Sequence, residues 1–121
     1  MMEEGMHYPA MQGKAVFKHA VEHLPQTILK VLADCGYTLD DLDLLVPHQA
    51  NRRINEMVGR RLDLPEEKVV HNIERYGNTT AASIPMALCA AEADGRLAEG
   101  DLVLLAAFGA GLTWGANLVR W

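Results

Sequence analysis

The chain has 121 residues, half of them hydrophobic and 22% charged, with a formal net charge of −5 at pH 7. That length suits one domain with a modest core, and that composition excludes a disordered chain. The acidic balance argues against a general nucleic-acid binder, and no apolar run is long enough to span a bilayer.

The amino terminus, Met1-Met2-Glu3-Glu4, lacks the basic and apolar regions of a signal peptide, and Cys35 and Cys89 form no CxxC. Both features predict a cytoplasmic chain. Residues 1–12, with Gly5, Pro9 and four methionines, are expected as an irregular lead-in to a domain over 13–121. Phe17, Val21, Leu24, Ile28, Val31 and Leu32 then recur at three- and four-residue steps, which predicts a helix. Pro25 predicts a kink or a break near residues 22–25, and Gly36 a helix end. Thr38-Leu39-Asp40-Asp41 reads as one capped turn before a strand at 43–46.

Pro47 cannot donate to a ladder, so that strand should stop there. His48 then sits on a strand-to-helix turn, where open α/β sheets bind ligands. Ile54, Met57, Val58 and Leu62 predict a helix over about 50–61, with Arg52, Arg53, Arg60 and Arg61 on its other side. A short turn at 64–67, a short strand at 69–73, a loop at 75–80 and an alanine-rich helix at 81–93 follow. A strand at 102–108, a tight turn Gly109-Ala110-Gly111 and a returning strand from Thr113 close the chain. A short turn joins only antiparallel strands. The prediction is an α/β fold: helices layered on a mixed sheet of about four strands, the last antiparallel.

Four features leave strand ends together: His48, Arg53, Asn78 and the Gly109-Ala110-Gly111 turn. A neutral imidazole offers one N–H donor and a carboxamide two. The helix following His48 disfavours imidazolium, and a glycine-rich turn exposes backbone N–H groups. The pattern suits stabilisation of developing negative charge. His19 and His23 share one helix face, but the sequence shows no third ligand, so a zinc site is rejected. His7 and His71 read as surface or packing residues, and Trp114 and Trp121 as core or interface aromatics.

Three stretches carry a resemblance: Val46-Pro47-His48-Gln49-Ala50-Asn51, Arg75 through Pro85, and Asp101 through Gly115. In that order and spacing they are similar to the C-terminal half of β-ketoacyl-acyl-carrier-protein synthase III, an acyltransferase with the thiolase fold. The resemblance implies condensation of an acyl-CoA with malonyl-acyl carrier protein, with loss of carbon dioxide, to initiate type II fatty acid synthesis, without a cofactor or metal. It assigns His48 and Asn78 as catalytic donors to the malonyl thioester oxygen, and Ala110, where the family usually has glycine, as an oxyanion backbone N–H. Arg53 matches the carrier-protein docking arginine, and Asn51, Phe108, Gly109 and Gly111 the substrate-binding positions. It implies three partners: an N-terminal half bearing the nucleophilic cysteine, acyl carrier protein, and a second copy in a homodimer.

Neither cysteine here matches that nucleophile. Cys35 lies at a helix C-terminus, where the dipole works against a thiolate, and Cys89 reads as a small buried hydrophobe. The chain alone is therefore expected to be inactive. It resembles only the second half of the duplicated fold and lacks that half's first strand. A truncation, a proteolytic product and a separately encoded subunit all fit. A non-catalytic docking subunit and half of a quinolone or polyketide synthase are the alternative readings.

Overall fold

The computed structural model describes residues 4–49, 51–71, 82–109 and 113–121, without the side chains of 4–14 and 16. The described residues form three helices and three strands, in chain order α1 (Glu4–Asp34), β1 (Leu44–Pro47), α2 (Arg52–Arg61), α3 (Ser83–Ala93), β2 (Leu102–Gly109) and β3 (Thr113–Arg120). The sheet order is β1-β2-β3, with β1 parallel to β2 and β3 antiparallel. The expected fourth strand survives among the described residues as one parallel bridge, Leu45 to Val69.

The layers follow from alternation along the strands. Leu45, Leu102, Leu104 and Ala106 face one way, against Ala20, Leu24, Ile28 and Leu32 of α1 and Ile54 and Val58 of α2. Leu44, Val46 and Val103 face the other way, against Ala87 and Ala91 of α3. A strand buried on both faces reads as an unbroken apolar run, which is what Leu44-Leu45-Val46 is. β3 lies at the open edge, with alternate residues exposed.

Local chemistry sets the element ends. At the end of α1, Gly36 adopts φ +83° and the Tyr37 N–H donates to Leu32 O at 2.8 Å, so the last carbonyls are satisfied. Thr38 and Asp41 form the expected reciprocal cap of a 3-10 turn. Gly59 of α2 permits a close approach: a Cβ there would sit 3.1 Å from the Val69 side chain.

Two expectations at the amino-terminal end are corrected. The irregular lead-in over 1–12 is helix from Glu4 onward, and α1 is unbroken at Pro25. Proline's φ fits a helix, and its cost is mainly one lost hydrogen bond. Val21, Leu24 and Ile28 on both sides of Pro25 are almost fully buried, and that burial outweighs it. Cys89, expected to be buried, is exposed. It lies two positions from both Ala87 and Ala91, which puts it on the opposite side of α3 from the buried stripe.

Candidate active site

β1 and β2 are parallel, so their carboxyl ends lie on one edge of the sheet, where β1 hands the chain to His48 and β2 ends at Phe108 and Gly109. The His48 N–H makes the last sheet bond, to Ala106 O at 2.8 Å. Its ring meets the Phe108 ring edge-on, centroids 6.3 Å apart. Asn51 caps α2 by accepting the Arg53 N–H at 2.8 Å. Helix α2 therefore starts at Arg52, two residues later than the sequence pattern suggests.

Two residues that sequence reasoning did not mark fix this turn, one at the imidazole and one at the backbone. Ser83, in the first turn of α3, places its Oγ 2.5 Å from His48 Nδ1 and accepts the Gln49 N–H at 3.3 Å. Ser83 is 1% exposed, so its hydroxyl proton needs a partner inside the protein. Donation of that proton to Nδ1 satisfies both groups and leaves the His48 proton on Nε2, as a donor. Gln49, fully buried, donates from Nε2 to Pro47 O at 2.8 Å and Val70 O at 3.0 Å. Those bonds tie the end of β1 to the segment that bridges at Val69. Gln49, a polar residue straight after an apolar strand, was the available signal, and Ser83 carried none.

Ser83→Ala should therefore release the ring. The expected result is a mixture of His48 tautomers in place of one, read from the ¹⁵N shifts of the two ring nitrogens.

His48 is half-buried, and burial lowers its pKa from the ordinary 6.5. The neutral ring expected from the helix terminus is thus held neutral by desolvation. His71, also half-buried, is lowered by burial first and by the Arg52 guanidinium second, with Glu56 and Glu66 pulling the other way. Among the described residues, neither of its ring nitrogens has a hydrogen-bond partner. The ring borders a cleft of about 60 Å³ with Glu56, Arg60 and Glu66.

For both rings the unfolded chain takes up protons at a higher pH than the folded chain does. Stability should accordingly be level above pH 7 and fall as pH drops through about 6.5 towards the folded values. Urea midpoints at pH 7.5 and 5.5 check this. The midpoint at pH 5.5 should be lower in the parent chain, and less so in His71→Gln.

Arg53 is exposed, with its guanidinium 5.4 Å from the centroid of the Phe17 ring. Arg52 is tied to Glu56 at 3.0 Å rather than standing as a bare solvated charge. His48, Asn51, Arg53, Phe108 and Gly109 are thus brought to one edge of the sheet. Asn78, Ala110 and Gly111 lie outside the described residues. Among the described residues, no helix is long and apolar enough to cross a membrane.

Residues 32–121 match the family model described as 3-Oxoacyl-[acyl-carrier-protein (ACP)] synthase III C terminal. The beta-ketoacyl-[acyl-carrier-protein] synthase III of Allorhizobium ampelinum is 55% identical over 111 residues, 92% of this chain and 34% of the relative. That of a Roseiflexus species is 48% identical over the whole chain and 37% of its own length. A crystal structure of the Thermus thermophilus enzyme superposes with a TM-score of 0.87 at 50% identity, covering 90% of this chain and 34% of that one. The chain thus spans about a third of the length of the relatives it matches. Over that third the chain shares the fold of these relatives, and it is a member of the 3-oxoacyl-acyl-carrier-protein synthase III family, corresponding to its C-terminal part.

Proposed function

We propose that the chain is the C-terminal catalytic part of an enzyme that condenses an acyl-CoA with malonyl-acyl carrier protein in the cytoplasm, the initiating step of fatty acid synthesis. The observation that carries this reading is the contact of Ser83 Oγ with His48 Nδ1 on a ring whose pKa burial lowers, an arrangement in which Nε2 is left to donate at the carboxyl edge of the sheet. The carbon–carbon bond to the malonyl carboxylate breaks and carbon dioxide leaves. The electron pair moves onto the thioester oxygen, where the His48 Nε2–H and the Asn78 carboxamide donate to it. The resulting carbon nucleophile attacks an acyl-cysteine thioester held by the N-terminal half. The Ala110 N–H meets the oxygen that becomes negative there, and the cysteine thiolate departs.

The placement of Asn78 is supported from both flanks of its segment. Val70 O accepts from Gln49, and Ser83 contacts His48, so each described end of the stretch carrying Asn78 is bonded to the His48–Gln49 turn. Arg53, exposed beside the same edge, is the docking contact for an acidic carrier protein. Asn51, Phe108, Gly109 and Gly111 line the substrate path. The reaction needs no cofactor beyond its two substrates, and the enzyme works as a homodimer.

The test is reconstitution. Mixed with a cysteine-bearing N-terminal half from a relative, the chain should yield 3-ketoacyl-carrier protein, and either piece alone should yield none. If the mixture binds the carrier protein but releases no carbon dioxide, the reading fails.

A further inference from the structure

We propose that His19, Glu22 and His23 of α1, backed by Trp114 of β3, form a binding site for a divalent transition-metal ion of the zinc class. The sequence alone shows two histidines at i and i+4. The structure adds a third donor, because the carboxylate of Glu22 lies on the same face as both rings. One ligand atom from each of the three lies within 4.8 Å of the other two.

A tetrahedral zinc with bonds of about 2.0–2.1 Å needs donors roughly 3.4 Å apart. The three groups must therefore close by at most about 1.4 Å, within the range of the soft terminal torsions of His and Glu. Among the described residues, no hydrogen bond or ion pair engages the Glu22 carboxylate or either ring.

Trp114 supplies the second observation. Its indole stacks on His23 with centroids 4.8 Å apart and 20° between planes, and His19 lies 6.4 Å away. The two imidazoles are themselves stacked at 5.8 Å. An aromatic floor restricts both rings before any ion arrives, which lowers the ordering cost of binding. It also makes one side of the site apolar, which strengthens ligand contacts on the other. A metal takes imidazole in its uncharged form and a carboxylate as an anion, so the bound set would be complementary to a cation. That nitrogen–nitrogen–oxygen set favours zinc, copper or nickel over magnesium or calcium. The three donors are none of the His48-edge residues, yet Trp114 lies opposite Phe108, whose ring meets His48, and the first histidine is two residues from Phe17, the ring under Arg53.

Calorimetric titration of the 121-residue chain with zinc chloride tests the site. The Cys35→Ser, Cys89→Ser background removes two exposed thiols that would also take zinc. The expected result is one ion per chain, weakened at least about tenfold by His19→Ala or His23→Ala. Glu22→Gln, a nearly isosteric change on an exposed helix face, should weaken it too, and circular dichroism should show intact helix in each variant. In Trp121→Phe, Trp114 is the sole indole, and copper(II) should quench it saturably with the same dependence on the three residues. Absence of saturable binding would overturn the proposal. So would binding that persists unchanged in the histidine variants or in Glu22→Gln.

Discussion

His48→Ala, in the chain reconstituted with a cysteine-bearing half, should slow carbon dioxide release from malonyl-carrier protein by about 10²–10³-fold. The variant removes the donor that Ser83 and burial prepare, and little of the scaffold. His48 is half-buried, and its main fold contact is its backbone N–H to Ala106 O, which alanine keeps. Acylation of the partner's cysteine should continue, because in the proposed reaction His48 acts on the malonyl oxygen and not on the thiol. A burst of acyl-enzyme with no carbon dioxide after it is therefore the expected pattern. Equal loss of acylation and decarboxylation would instead point to a collapsed site.

The largest stability effect is expected at Leu45→Ala. Leu45 is fully buried, lies opposite Leu104 in the β1–β2 register, and borders the same interior niche as Ile28, Val58 and Ala106. Its carbonyl also receives the Val70 N–H at 3.0 Å, so its position governs the neighbouring segment. Truncating a leucine of this kind costs about 2–5 kcal/mol, because α1, β2 and α2 close only partly over the cavity. A small domain holds about 5–15 kcal/mol in total, so the variant should lose a large share of its stability. Urea titration should show a lower midpoint at unchanged slope. Leu29→Ala, at a position 46% exposed, should stay within about 0.5 kcal/mol of the parent.

The layered fold was legible in the sequence because periodicity reports burial directly. Leu44-Leu45-Val46 is apolar on both faces and proved to be sandwiched between α1 and α2 on one side and α3 on the other. Gly36 and Thr38–Asp41 announced their caps because those conformations need those residue types. The amino-terminal helix was less legible: proline marks a breaker in sequence, but burial on both sides of Pro25 overrides it. At the site, His48 and Arg53 stood out by motif. Ser83 and Gln49 did not, since their roles depend on contacts with residues far along the chain, Ser83 with His48 and Gln49 with Val70. Glu22 was overlooked as a metal donor for a related reason: a glutamate on a solvated helix face is ordinary until the two flanking rings are seen stacked beside it.

The decisive measurement is a double-mutant cycle on carbon dioxide release, with His48→Ala, Asn78→Ala and the pair together in the reconstituted enzyme. Two donors that share one enolate oxygen act as a unit, so the double variant should lose little more than the worse single variant. If either single variant keeps the full rate, or if the two losses simply multiply, His48 and Asn78 do not hold the same oxygen.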